Sequence, residues 1–296
     1  MIRVTGLRKQ FPGLIAVDDV SFDIPAGETF GLLGPNGAGK TTTIGMIVGV
    51  LKPDHGTVTI DGVDDSTKPT VRKSIGNSPQ ALALYDDLTA VENLRFFGRL
   101  YGLSGRVLSE RVTAILDLVG LTERRLDRVK TFSGGMQRRL NLGCALVHDP
   151  PILLLDEPTV GVDPQSRNLI FEKIEELKKQ GRTIVYTTHY MEEAQRLCDR
   201  VAIIDHGRIL ALDTVRELIA RHGGKAVVAA DLNTIPDDRS LLPAPLDGDH
   251  LRFETNYPME DIARLARSGL DFRTLAVDQP DLESVFLNLT GRRLRD

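Results

Sequence analysis

Cysteine is nearly absent. Cys144 and Cys198 are the only two in 296 residues, too few for a Cys-based zinc framework and an unexpected basis for a disulfide scaffold in a chain this long. A reducing cytoplasm suits them. No uninterrupted apolar stretch reaches the roughly 18 residues that cross a bilayer, and the start Met1-Ile2-Arg3-Val4 has no signal-peptide apolar region, so the chain itself is expected to be soluble. Neither sign of charge dominates: 37 Lys plus Arg stand against 41 Asp plus Glu, a formal net charge of −4. That balance argues against a polyanion-coating protein, and no nucleic-acid partner is expected. His55, His148, His206, His222 and His250 are scattered without metal spacing, which gives no reason to expect a zinc site. Low-complexity tracts and short repeats are missing too. Length alone suggests about two domains at ~150 residues each.

What is present is a change of pattern along the chain. From Met1 to about His222, short apolar runs that read as buried strands (Thr29–Leu33, Ile152–Asp156, Thr183–Thr188, Val201–Asp205) alternate with segments of helical period, the mark of an α/β core with parallel strands. Between about 80 and 150 the strand runs stop; Thr89–Leu103 and Arg106–Val119 read as amphipathic helices of an inserted helical subdomain. A small α+β domain is expected over 225–296, with strands Ala226–Leu232, Leu251–Thr255 and Arg273–Val277 and helices near Met259–Arg267 and Asp281–Leu289. Pro236–Asp249 reads as a loop within it. In the last helix Leu282, Val285, Phe286 and Leu289 form one apolar face, which must be buried within the chain or against a second copy.

Three motifs carry chemistry. Gly34-Pro35-Asn36-Gly37-Ala38-Gly39-Lys40-Thr41 follows a predicted strand and opens a helix predicted over Thr42–Val50. Such a loop closes its N–H groups around phosphate oxygens, with Lys40 on the β- and γ-phosphates and the Thr41 hydroxyl on Mg²⁺. The greasy strand Ile152–Asp156 ends in Asp156-Glu157; at the C-terminal edge of a parallel sheet, where ligands bind, Asp156 can hold Mg²⁺ through water and Glu157 can polarise an attacking water. Phe132-Ser133-Gly134-Gly135-Met136-Gln137 is a second small-residue turn entering a helix, which by itself reads as an N-capped helix start.

In this order and spacing the motifs resemble the ATP-binding subunits of ABC transporters, over residues 1 to about 222. The resemblance implies an α/β fold: a P-loop NTPase ABC ATPase core with an inserted helical subdomain, followed here by the small α+β domain. It also implies ATP and Mg²⁺ as ligands. Phe11 matches the aromatic that stacks on adenine, and Thr42 belongs to the phosphate loop's helix start. Gln80 matches the glutamine that joins Thr41 and Asp156 at Mg²⁺ and couples the γ-phosphate to a membrane partner. Ser133-Gly134-Gly135 matches the signature turn, Asp163 the aspartate that crosses a dimer interface, and His189 the switch histidine at the γ-phosphate. Taken singly, Phe11 reads as a strand-end core residue, Gln80 as a surface turn and His189 as a strand-end histidine. Met136 stands where the family commonly has Gln, with Gln137 next to it.

The wording Phe-Ser-Gly-Gly-Met-Gln-Arg-Arg-Leu and the ending Asp281-Leu-Glu-Ser-Val-Phe-Leu-Asn-Leu-Thr-Gly look like the drug-resistance, nodulation-factor and lipid or polysaccharide exporter branch. The expectation is a subunit that dimerises on ATP and powers export through a separate integral-membrane permease, at the cytoplasmic face of the membrane. An importer ATPase, a non-transport relative and a P-loop kinase are the rival readings. Residues 72–139 hold twelve Lys/Arg against seven Asp/Glu, read either as a solvated face or as attraction to an anionic leaflet.

Overall fold

The computed structural model describes residues 1–235 and 238–292, and the chain divides into two units, Met1–Val215 and a second beginning at Arg216. The division falls upstream of the pattern change near His222, inside the last helix of the alternating region, Val215–His222.

Two sheets build the first unit. β1 (Ile2–Phe11), β2 (Leu14–Ile24) and, further on, β4 (His55–Ile60) form an antiparallel sheet in the order β2-β1-β4. Reading the unit as parallel strands alone missed this sheet. Its strands alternate: Ile2 and Val4 are buried while Arg3 and Thr5 are exposed, the period-two pattern of a sheet with one wet face. The second sheet contains β3 (Thr29–Leu33), β5 (Ile75–Ser78), β6 (Ile152–Asp156), β7 (Thr183–Thr188), β8 (Arg200–Asp205) and β9 (Arg208–Thr214), in the order β5-β6-β7-β3-β8-β9. All its pairings are parallel except β8 with β9. Every residue of β3, β6 and β7 is buried, which is why these strands read as continuous apolar runs. Phe22 of β2 stacks on Phe30 of β3 at 4.9 Å, joining the two sheets in one core.

Helix α1 (Lys40–Ile47) leaves β3 and starts earlier than Thr42, and a short α2 (Pro69–Lys73) precedes β5. The inserted region holds α3 (Ala90–Leu100), α4 (Gly105–Leu118) and α5 (Gly134–Leu146). α3 begins at a reciprocal cap in which Thr89 and Glu92 bond each other's backbone N–H groups. Here Arg111 donates to the carbonyls of Leu146 and Val147, and Arg139 to those of Val119 and Gly120. Those members of the basic stretch are tied into the fold. α6 (Pro164–Lys179) and α7 (Met191–Leu197) complete the alternation, and α8 (Val215–His222) starts at the boundary and from Arg216 onward belongs to the second unit. Both thiols are buried and burial pushes their pKa values up; Cys198 packs over Gly31.

In the second unit β10 (Ala226–Leu232), β11 (Leu246–Asp247), β12 (His250–Thr255) and β13 (Phe272–Asp278) form an antiparallel sheet in the order β11-β12-β10-β13. Besides α8, it carries the helices α9 (Pro258–Arg267) and α10 (Leu282–Thr290). Val228, Leu232, Leu251, Phe253, Leu265 and Leu270 make its core. The stretch expected as a loop contains β11 and a 3₁₀ turn at Arg239–Leu241; Pro236 and Asp237 lie outside the described residues, as do 293–296. Of the apolar face expected on the last helix, Leu282, Val285 and Phe286 are buried within the single chain and Leu289 is half-buried.

Candidate functional site

Close backbone approaches shape the loop between β3 and α1. A Cβ on Gly34 would come within 2.1 Å of the Ile204 carbonyl, and one on Gly39, at φ +105°, within 2.4 Å of the Ala16 carbonyl. Only glycine fits both places. Gly34 donates its N–H to Thr188 O at 3.2 Å, and Gly207, in the turn after β8, donates to Ala38 O at 3.0 Å. The loop is thereby tied to strands on both sides of β3. Lys40, 4% exposed, donates to Gly34 O at 2.7 Å and Pro35 O at 3.0 Å, and pairs with Glu157 Oε1 at 3.0 Å.

β6 delivers the two adjacent acids. Asp156 accepts from Thr187 Oγ1 at 2.5 Å, and the same hydroxyl accepts from the Glu157 N–H at 3.0 Å. Glu157 then leaves the strand at φ +46°, a conformation that re-aims its side chain out of the strand's alternation. Its carboxylate meets Lys40, accepts from Gln80 Nε2 at 3.1 Å, and lies 3.3 Å from His189 Nδ1. Burial lowers the pKa of Arg138 nearby, opposed by the charges of Glu157 and Asp156.

A cavity of about 310 Å³ opens over these groups. The β1–β2 hairpin gives it Phe11, Leu14 and Ala16; the loop and α1 give Asn36, Gly37, Gly39, Lys40, Thr41 and Thr42; Gln80 and Glu157 close it. Lys9 Nζ sits 5.8 Å from the centre of the Phe11 ring. Gly34, Pro35, Ala38, Asp156 and His189 stand outside the lining and hold or adjoin the residues that form it.

Ser133, Gly134, Gly135 and Asp163 do not line this cavity. They gather where two helices start. Ser133 caps α5 by accepting from the Met136 N–H at 3.3 Å, and Asp163 caps α6 by accepting from the Ser166 N–H at 2.9 Å. Those bonds to Ser166 hold the Asp163 carboxyl below its ordinary pKa. A Cβ on Gly135 would lie 2.3 Å from Ser166 Oγ, so the two helix starts abut. Gln137, beside Met136, turns inward and donates to Val129 O at 3.3 Å.

The helix opened by that turn also grips the glutamine segment. Asn141 Nδ2 donates to Ser78 Oγ at 2.9 Å and Pro79 O at 3.2 Å, its Oδ1 accepts from the Ala83 N–H at 3.1 Å, and Arg138 donates to Gln80 O. Sequence reasoning missed Asn141, although a polar residue between Leu140 and Leu142 on a buried helix signals a specific partner. Leu14 and Ala16 carried no signal, since apolar hairpin residues belong to no motif.

The ABC transporter family model matches residues 17–160. Over its full length the chain is 42% identical to the linearmycin resistance ATP-binding protein LnrL of Bacillus subtilis, covering 100% of both. It is 41% identical to the Nod factor export ATP-binding protein I of Ralstonia nicotianae, covering 100% of this chain and 95% of that one. A solved dimeric ATP-binding cassette in a post-hydrolysis state, bound to ADP and Pi, matches at a TM-score of 0.67 and 26% identity, over 72% of this chain and 98% of that chain. The chain belongs to the ATP-binding subunits of the ABC transporter family, and it is an ATPase.

Proposed function

We propose that two copies of this chain enclose two ATP molecules head to tail, hydrolyse them, and so power export of a drug-, lipid- or glycan-like compound through a separate membrane permease at the cytoplasmic face. One observation carries the reading: Lys40, Thr41, Gln80 and Glu157 share a cavity that Ser133–Gly135 of the same chain do not line. A second copy supplies the missing turn. The relatives' names, linearmycin resistance and Nod factor export, support the direction of transport. Among the described residues no helix is long and apolar enough to cross a membrane, which accords with a permease on another chain.

Phe11 stacks on the adenine, the loop N–H groups and Lys40 hold the phosphates, and Glu157 accepts the proton of the attacking water while His189 orients the γ-phosphate. Asp163 contacts the partner across the interface. Mg²⁺ suits the donors present: the Thr41 hydroxyl and Gln80 face one cavity, Gln80 Oε1 is free of the Glu157 contact made by Nε2, and Asp156 adds a carboxylate. These hard oxygen donors would suit Mg²⁺ held beside phosphate. When bound, the ion neutralises phosphate charge.

The test is Glu157→Gln, which keeps the side chain's shape and removes the base. Its turnover is expected to fall about a thousandfold, and light scattering after size exclusion with ATP and Mg²⁺ should find more dimer than in the parent protein. ATPase activity that stays linear in enzyme concentration, with monomer at every ATP level, would overturn the paired site.

A further inference from the structure

Glu193, on α7, is 2% exposed, and no basic group pairs with it among the described residues. Its carboxylate takes three hydroxyl protons instead: from Thr159 at 2.7 Å on Oε1, and from Tyr186 at 2.9 Å and Thr188 at 2.7 Å on Oε2. A buried carboxylate without a cation is costly, and apolar packing would serve stability at least as well. What the acid adds is direction, because a carboxylate only accepts and therefore fixes which way all three hydroxyls point.

Those hydroxyls lie on both sides of the reacting groups. Thr159 is two residues beyond Glu157. Thr188 directly precedes His189, and with its proton committed to Glu193 its oxygen accepts from the Tyr190 N–H at 2.9 Å, so the backbone is held on either side of the histidine. The Thr188 carbonyl also accepts from Gly34 at the start of the phosphate loop. Neighbouring threonines on β7 serve the two faces of the strand: Thr187 binds Asp156, and Thr188 binds Glu193.

We infer that Glu193 is a positioning residue for hydrolysis: through Thr188 and Thr159 it sets the separation and orientation of His189 and Glu157. The inference rests on the roles proposed above for those two groups. A misplacement near 1 Å costs about a hundredfold in rate, whereas side-chain changes at Glu193 and Thr188 leave the Thr188 carbonyl that holds Gly34 in place, so ATP affinity is expected to change little.

The experiment measures kcat, KM and nucleotide dissociation constants for Glu193→Gln, Thr188→Val, Thr188→Ser and the Glu193→Gln/Thr188→Val double variant, with Glu157→Gln alongside. Glu193→Gln puts an NH₂ donor among hydroxyls that need an acceptor. Expected are a ten- to hundredfold fall in kcat for Glu193→Gln and for Thr188→Val, ATP dissociation constants within about twofold of the parent, non-additive losses in the double variant, and recovery of most of the rate in Thr188→Ser. Parental kcat in Glu193→Gln, additive losses, or a fall in ATP affinity matching the fall in kcat would each overturn the assignment. If Glu193→Gln does not fold, the valine and serine variants of Thr188 decide: equal rates overturn it, and loss in valine with recovery in serine upholds it. Full turnover in Glu157→Gln would overturn the reading of the site itself, whereas an inactive Glu157→Gln beside a fully active Glu193→Gln removes only the positioning role.

Discussion

The starts of α1 and α5 offer the same device, a turn of small residues whose N–H groups point along a helix axis, and the two are furnished very differently. Around the first, one chain brings a buried ammonium, a carboxylate, an amide and an imidazole together, with the ammonium, amide and imidazole each within 3.3 Å of the carboxylate. Around the second, the chain supplies a serine cap, the Asp163 carboxylate and the start of a neighbouring helix, with no cation or imidazole among the described residues brought to that acid as at the first. A helix start becomes a reaction centre only when opposing charges are built beside it. In the paired site proposed above, the second start contributes to chemistry only when another molecule brings the rest.

That contrast can be broken at either end. Lys40→Ala removes the ammonium proposed to hold the phosphates and leaves Glu157 without its 3.0 Å ion-pair partner; nucleotide affinity measured by equilibrium titration should fall about a hundredfold. Unchanged affinity would mean the first helix start does not need its ammonium. At the second start the informative variant is Gly134→Asp. A Cβ there meets only Gly161 O at 3.6 Å, whereas at Gly135 it would collide with Ser166 and confound assembly with folding. Gly134→Asp should bind ATP as the parent does while its ATPase falls by at least about tenfold, because in the proposed pair the new carboxylate would face a partner's phosphate. Equal ATPase would make the second start a plain cap.

A smaller effect sharpens how firmly α5 is held. Just past its end His148 stacks on Tyr101 at 3.5 Å and donates from Nε2 to Ile75 O at 3.1 Å, while its buried Nδ1 has no partner. Burial pushes the His148 pKa down from 6.5 to about 4. The unfolded chain therefore binds the proton more readily in that interval, so the stabilisation is complete above pH 6.5 and is lost as pH falls toward 4. The melting temperature should drop between pH 7.5 and 5, by about 3 °C more in the parent than in His148→Gln, which keeps a donor and cannot titrate. An equal drop in both would assign the acid sensitivity elsewhere.

Much of this was legible in the residues. Ile152–Asp156 and Thr183–Thr188 stood out because strands buried on both faces must be apolar throughout, and the phosphate loop because its glycines are demanded by backbone contacts 2.1 and 2.4 Å from a would-be Cβ. The antiparallel sheet was not legible: the alternation in Ile2–Phe11 is interrupted by register shifts at Leu7 and Lys9, and a half-wet strand with bulges has no clean period. Positions that act through others, such as Asn141 and Thr187, escaped for a different reason. Their partners lie 30 to 63 residues away, and no local spacing encodes a hydrogen bond across such a gap.

The place of β3 also governs when the site can exist. Although it is the first strand of its sheet to be synthesised, it lies between β7 and β8, and Thr29 and Glu28 are bonded to Asp199 and Arg200, which follow 170 and 172 residues later. A growing chain therefore carries its phosphate loop on a strand with both edges bare until β7 and β8 have left the ribosome. Long-range closure of this kind is slow, and unpaired apolar edges aggregate. A truncation that stops before Thr183 should therefore accumulate as insoluble material rather than as a smaller nucleotide-binding protein, and the interval between the synthesis of residues 33 and 205 is the period in which the nascent chain most needs protection.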